Sequence, residues 1–289
     1  MQLPAQLSKR KPNSHKGNYG HIFALCGSAG LTGAAILTAR SSLRTGAGLV
    51  TLGIPKSLNN IFQKQLVEVM TLPLAQTSSQ SASIKALPKI NNFLKKVDVL
   101  AIGPGLSLNL STQKLVRSII AHCKLKMVID ADAINALAAN LKVLKLRAKK
   151  RLNRNLVLTP HPGEMARLIA KSTSYVQGHR KEVASKFSKE FGLTLILKGY
   201  RSIVADFSGK VYINTTGNPG MATAGCGDVL TGIVASFLAQ GLDVYSAAKY
   251  ATYIHGLAGD LAARESGELS LIASDLIERI PEAIKKSSQ

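Results

Sequence analysis

The stretch from Asn218 to Leu238 constrains this chain more tightly than any other. Its first part, Asn218-Pro-Gly-Met-Ala-Thr-Ala-Gly-Cys-Gly-Asp228, sets Gly220, Gly225 and Gly227 close together. Val229, Leu230, Ile233, Val234, Phe237 and Leu238 then recur at helical spacing. The pattern is a loop of permissive backbone opening a buried helix. At such a helix start the N–H groups of Ala224, Gly225, Cys226 and Gly227 lack carbonyl partners, and the helix dipole adds partial positive charge. Together they form a nest for a phosphate or a developing oxyanion. Asp228 falls in the first turn and carries two readings. The dipole favours a carboxylate there as a cap; beside a phosphoryl-binding nest, the same group serves as a general base that takes the proton of an attacking hydroxyl.

A buried helix needs a core to enter, and 289 residues with 46% hydrophobic content supply one, as a single α/β domain or two smaller ones. No apolar run approaches the length of a membrane span, and the N-terminal segment through Pro12 has no hydrophobic stretch before a cleavage site. A cytoplasmic protein with no membrane partner is expected. Cys26, Cys123 and Cys226 are odd in number and widely spaced, which fits reduced thiols and neither a disulfide framework nor a zinc site. The formal charge of +21 is the unusual property, because it points to anionic partners. Much of it lies in one run, Lys142, Lys145, Arg147, Lys149, Lys150, Arg151 and Arg154, with no acidic residue among them. That run also lacks the aromatic platforms of nucleic-acid grooves, so it reads as a solvated linker or helix end, and no specific nucleic-acid partner is expected.

Along the chain, His21–Cys26 is an apolar run that enters the glycine loop Gly27-Ser-Ala-Gly-Leu-Thr-Gly33. Ala34–Arg44 reads as a helix closed by Gly46-Ala-Gly48, and Leu49–Ile54 as the next strand. The order strand, loop, helix, strand predicts a parallel α/β unit, yet the loop has neither the Lys of a Walker A sequence nor the spacing of a dinucleotide fold. Val67–Leu74, Val97–Ile102, Met127–Asp130, Leu156–Thr159 and Leu193–Leu197 read as further strands. Gly103-Pro-Gly-Leu106, Asp130-Ala-Asp132, Thr159-Pro-His-Pro-Gly-Glu164 and Lys198-Gly199 stand at strand ends, where open α/β sheets bind ligands. Asp130 and Asp132 admit a magnesium-phosphate role, against which the simpler reading is that Asp132 caps the helix through Leu137. Ser202–Asp206 and Lys210–Asn214 read as a hairpin, and Tyr245–Arg264 and Ala273–Ile284 as helices, the first with a face of small residues.

These motifs, with Lys16-Gly-Asn-Tyr-Gly20, Arg44-Thr-Gly-Ala-Gly-Leu49 and Gly225-Cys-Gly-Asp228, resemble those of the ADP/ATP-dependent NAD(P)H-hydrate dehydratases. The likeness runs from about residue 14 to 282. It implies a ribokinase-like α/β fold, with a mostly parallel central sheet flanked by helices, in a single domain spanning residues 14–289 behind a basic N-terminal arm of residues 1–13. The short arm is expected to leave no room for the epimerase domain that often precedes this one in the family. The implied reaction uses ADP or ATP to phosphorylate the hydroxyl of the S form of hydrated NADH or NADPH, after which phosphate leaves and the dihydronicotinamide is restored. By the same resemblance Asp228 is the catalytic residue and contacts substrate; Ala34, Gly105 and His161 also contact the hydrated dinucleotide. Lys198, Gly199, Tyr200, Arg201, Ser202 and Gly227 hold the donor nucleotide, and Mg2+ bridges its phosphates, with Glu164 as a weak candidate to meet the metal through water. A homo-oligomer, on the family's pattern a homotetramer, is implied as well.

One position departs from the pattern: Cys226 stands where the family usually has Thr or Ser, and a thiol is the weaker hydrogen-bond donor. The Gly-Asp motif and its nest are shared with small-molecule alcohol kinases of the same fold, which form the alternative enzyme reading. A basic nucleic-acid-binding protein is the alternative of another class.

Overall fold

The computed structural model describes residues 1–288. Nine strands form one sheet in the order β3-β2-β1-β4-β5-β6-β7-β8-β9. In chain order they are β1 His21–Leu25, β2 Leu49–Pro55, β3 Met70–Leu74, β4 Val99–Ile102, β5 Lys126–Ile129, β6 Leu156–Leu158, β7 Thr194–Leu197, β8 Ile203–Ala205 and β9 Val211–Ile213. Strands β1 to β7 pair in parallel, and β8 and β9 add an antiparallel hairpin at one edge. The ribokinase-like expectation of a mostly parallel sheet flanked by helices is met.

The helices are α1 Ala5–Ser8, α2 Thr32–Arg44, α3 Asn59–Gln65, α4 Leu87–Phe93, α5 Leu110–His122, α6 Ala131–Ala138, α7 Lys142–Lys149, α8 Pro162–Ile169, α9 Thr173–Gly178, α10 Arg180–Phe191, α11 Cys226–Ala239, α12 Val244–Ser266 and α13 Ala273–Ser287. The side-chain period of two in the strands sorts them into two layers. On one face Ile22, Ala24, Val99, Ala101, Val128 and Ile196 pack with residues of α11, α12 and α13. On the other, Phe23, Leu25, Leu100, Ile102, Met127 and Leu195 pack with α5, α6, α8 and α10.

Helix α11 lies against the sheet on one side and between α2 and α12 on others, which is why its sequence is apolar almost all round. Burying a side chain such as Phe237 contributes about 2–3 kcal/mol. Gly232 lets α2 approach, since a Cβ there would overlap the Thr38 carbonyl and the Ser41 hydroxyl. The N-terminal arm lies on this layer: Leu3 is buried, and its N–H donates to the Ser287 carbonyl at 2.7 Å. No helix of the described residues is long and apolar enough to cross a membrane.

The basic run corrects the sequence reading at one residue. Lys142, Lys145, Lys149, Lys150, Arg151 and Arg154 are exposed, as expected, but Arg147 is buried. Its guanidinium donates to the carbonyls of Ile120, Cys123 and Leu152 and to Asn153 Oδ1. The fork geometry of arginine matches several carbonyls at once, so α7 is pinned to the ends of α5 and the following turn.

Candidate active site

The alternation within the strands continues past their ends and selects the residues that meet α11. Ala24, Val128 and Ile196 face the α11 layer, and two positions on from each stand Cys26, Asp130 and Lys198. Lys198 Nζ donates to Asp130 Oδ1 at 2.7 Å, and Thr231 Oγ1, one turn into α11, donates to Asp130 Oδ2 at 2.8 Å. A Cβ on Gly227 would lie 3.2 Å from Lys198 Nζ, so the missing side chain is what admits the ammonium to the start of α11. Burial works against the charge of Lys198, yet Asp130, Glu164 and Asp228 outweigh it and its pKa is raised. It stays cationic.

Gly225, the N-cap of α11, has φ +89° and no capping side chain, so the first turn begins with its N–H groups uncovered by the chain's own side chains. Asp228 sits in that turn. Its carboxylate makes no hydrogen bond with the described residues, while its carbonyl accepts one from Thr38 Oγ1 at 3.2 Å. Burial first, and then the charge of Asp130, raise its pKa to about 7 against the opposing pull of Lys198. A capping carboxylate would bond the backbone and be depressed; this one is unpaired and poised near neutrality.

The substrate-contact candidates lie around this point. Gly105 packs against Ala34, whose Cβ would be 3.1 Å from a Cβ added at Gly105, and Ala34's carbonyl accepts from the same Thr38 hydroxyl that holds Asp228. His161 is the N-cap of α8: Nδ1 accepts from Gly163 N at 3.0 Å, which leaves Nε2 as the protonated nitrogen, 3.5 Å from Glu164 Oε1. Partial burial and the nearby Lys198 and Arg167 hold its pKa below the ordinary value, so it is a neutral donor. The helix begins at Pro162, proline being suited to the first helical position. Glu164 is buried, its Oε2 accepting from His161 N at 2.7 Å, and burial raises its pKa.

In the nucleotide candidates, Lys198 and Gly227 come together, Gly199 follows with φ +122°, and Ser202 Oγ closes the turn on the Gly199 carbonyl at 3.0 Å. Tyr200 is 86% exposed with the Arg201 guanidinium 5.6 Å from its ring centre, so this pair forms the outer rim. The Cys226 thiol is buried and held protonated, its pKa pushed up to about 11 by burial. Asp132 corrects the capping expectation: its Oδ2 accepts from Ser107 N at 2.8 Å, fixing the turn after Gly105, and its Oδ1 meets the Asn135 side chain at 3.4 Å rather than a backbone N–H of the helix. Thr38, Thr231 and His255, which donates to the Cys226 carbonyl at 2.8 Å, were missed by sequence reasoning, since their partners lie 29 to 190 residues away.

A parallel sheet that ends in a cation, an N–H nest and an unpaired carboxylate defines a protein of the ribokinase-like class. The NAD(P)H-hydrate dehydratase family matches residues 22–282, and the chain belongs to that family. The bifunctional NAD(P)H-hydrate repair enzyme Nnr of Moorella thermoacetica is 46% identical over 281 residues, 97% of this chain and 52% of that protein. The ADP-dependent (S)-NAD(P)H-hydrate dehydratase of Neisseria meningitidis serogroup B is 34% identical, covering 92% of this chain and 85% of its own. The solved ADP/ATP-dependent NAD(P)H-hydrate dehydratase of Bacillus subtilis, co-crystallised with ATP and Mg2+, superposes with a TM-score of 0.78 at 26% identity, over 97% of this chain and 94% of that one. The chain spans about half the length of the bifunctional relatives it matches.

Proposed function

We propose that this chain dehydrates the S form of hydrated NADH or NADPH, with ADP or ATP as phosphate donor. The observation that carries the reading is Asp228: a carboxylate without a hydrogen bond to the described residues, its pKa raised to about 7, in the first turn of a helix whose N-cap supplies no side-chain cap. Asp228 takes the proton of the hydrate hydroxyl as that oxygen attacks the terminal phosphoryl group. The N–H groups from Gly225 to Gly227 and the ammonium of Lys198 hold the transferring group, whose charge they match. Phosphate then leaves with the C–O electron pair, the neighbouring ring carbon gives up a proton to solvent, and the ring double bond is restored. Ala34, Gly105 and the neutral His161 orient the dinucleotide, and the turn from Lys198 to Ser202 carries the donor nucleotide.

Among the described residues no group of three or more His, Cys, Asp or Glu side chains forms a metal cage. Asp130 is occupied by Lys198 and Thr231, and Glu164 Oε2 by the His161 N–H. Such a donor set would leave Mg2+ to be held chiefly by the donor's phosphates and by water, and Glu164 is the residue that would meet it through water. When bound, the ion neutralises phosphate charge. The buried Cys226 thiol leaves the nest to backbone N–H groups. We further infer a cytoplasmic homotetramer, for which three buried free thiols and the family resemblance are the support.

The test is incubation with hydrated NADH and either nucleotide. Recovery of dihydronicotinamide absorbance with release of phosphate is expected, and accumulation of a stable phosphorylated alcohol would instead make this chain a kinase of the same fold.

A further inference from the structure

The small residues of α12 include two that the core does not explain. Gly256 and Gly259 lie where the chain from Asn214 to Cys226 crosses the helix: a Cβ on Gly256 would overlap Thr216, and one on Gly259 would overlap Met221. Around this close approach α12 holds the crossing segment by polar contacts at both ends. Near the start, Asn214 Nδ2 donates to the Thr252 carbonyl at 3.2 Å and Thr216 Oγ1 to the Tyr253 carbonyl at 2.9 Å. The Asp260 carboxylate then accepts from Gly217 N at 3.0 Å and from Asn218 Nδ2 at 3.1 Å. At the far end His255 Nε2 donates to the Cys226 carbonyl at 2.8 Å, within the first turn of α11. Burial pushes the His255 pKa down to about 4, so the imidazole is neutral and donates through Nε2 at working pH.

A carbonyl in a helical first turn accepts within its own helix, so Cys226 does not need the imidazole to be satisfied. What the imidazole adds is a fixed relation between α12 and the start of α11. That relation matters because the segment carries Gly217, Gly220 and Gly225, whose backbone freedom would otherwise have to be lost when an anion is bound. We propose that His255 and Asp260 are positioning residues for the phosphate donor: they fasten the two ends of the glycine-rich segment to one helix and so preset the N–H groups of Gly225 to Gly227. The proposal rests on the reading that this nest binds the phosphates of ADP or ATP.

The experiment measures ADP affinity by equilibrium titration, steady-state kinetics with hydrated NADH, and thermal unfolding on variants of the 289-residue chain. His255→Leu is expected to weaken ADP binding and raise the donor KM about five- to tenfold, with kcat at saturating donor within about twofold, since the loss falls on preorganisation. His255→Gln, whose amide N–H reaches the same carbonyl, should recover parental affinity within about twofold. Asp260→Asn keeps one acceptor for two donors and should fall between, which also carries the test if His255→Leu does not fold. Ile254→Val alters the core beside His255 and leaves every polar contact between α12 and the segment in place, and should lower the melting temperature with affinity unchanged. Parental ADP affinity in both His255→Leu and Asp260→Asn overturns the proposal, as does a loss of affinity in Ile254→Val equal to that in His255→Leu. A parent that binds ADP but does not repair the hydrate removes the substrate reading and leaves these affinities decisive; a parent that binds no ADP overturns both.

Discussion

Two cations are taken out of water in this strongly basic chain, and they are satisfied in opposite ways. Arg147 is 1% exposed and is surrounded by main-chain carbonyls and one amide oxygen, with no carboxylate of the described residues in contact. Lys198 has a side chain 18% exposed and one protein acceptor, the carboxylate of Asp130. A guanidinium has five donors in a rigid fork, and Arg147 is engaged along its whole edge. An ammonium has three donors, so Lys198 keeps capacity on the side of Gly227 and the nest. The first arrangement closes a structure; the second leaves an ammonium with donors still free beside the start of α11.

The difference can be broken most directly at Arg147. Arg147→Met keeps much of the stem's packing but leaves the carbonyls of Ile120, Cys123 and Leu152 without this donor, at about 1–3 kcal/mol for each buried group left unsatisfied. A loss of roughly 3–5 kcal/mol and a melting temperature lower by about 10 °C are expected, with repair per folded molecule within about twofold. A variant that melts normally yet fails in repair would place Arg147 in the site's business and erase the contrast.

At the site, Asp228→Asn should lower turnover by about a hundredfold or more, about 2.7 kcal/mol of barrier, while donor binding persists. The pH dependence sharpens this. With the Asp228 pKa raised to about 7, turnover in the parent should fall tenfold per unit as pH drops below that value, because the base becomes protonated. Stability moves the other way. Between the ordinary carboxylate value of 3.8 and about 7 the native state keeps a proton that the unfolded chain has lost, so the parent loses stability as pH rises through that window. Asp228→Asn should shrink that decline to the part that the raised pKa of Glu164 contributes, and unfolding measured at pH 5 and pH 8 in both proteins checks it; an unchanged decline would mean that Asp228 ionises normally.

Lys198→Met is expected to weaken ADP binding about tenfold, or about 1.4 kcal/mol, and also to destabilise the fold by leaving Asp130 buried without its cation. The double variant with Asp130→Asn removes both charges. It should regain stability without regaining ADP affinity, and a parallel recovery of both would show that Lys198, like Arg147, is structural.

How far the sequence reveals these residues follows from where their partners are. The strands and their glycine-rich ends are legible because an apolar run followed by a turn is a local signal, and Asp228 is legible because the helix behind it is. Lys198 is marked by its place at the end of a buried strand. Arg147 is not marked at all: it stands in a run of exposed cations, and the carbonyls that hold it come together only in three dimensions. Asp132 was misjudged for the same reason, since a carboxylate in a first turn looks like a cap until the Ser107 N–H arrives from 25 residues upstream. Thr231 and His255 look like ordinary helix residues until α11 meets the sheet and α12.

The smallest effect should come from the cations that Arg147 leaves behind. Lys145, Lys149, Lys150 and Arg151 are exposed, and α7 lies over the layer that buries Leu144, on the face of the sheet away from α11. Their field at physiological salt is screened beyond about 8–10 Å. Replacing all four by Gln while keeping Arg147 should therefore hold repair within about threefold of the parent, roughly 0.65 kcal/mol of barrier. Parental binding to duplex DNA or RNA at about 150 mM salt should be weak and indifferent to sequence, because the exposed run itself has no aromatic platforms for bases. Arg154 adds one stacking contact, 4.8 Å from the centre of the Phe207 ring, but that ring is already covered by the guanidinium. Tight, sequence-selective binding that vanishes in the four-residue variant would show that the exposed cations recognise a nucleic acid and that the buried one is the scaffold of that surface, so that α7 would have a purpose beyond the fold.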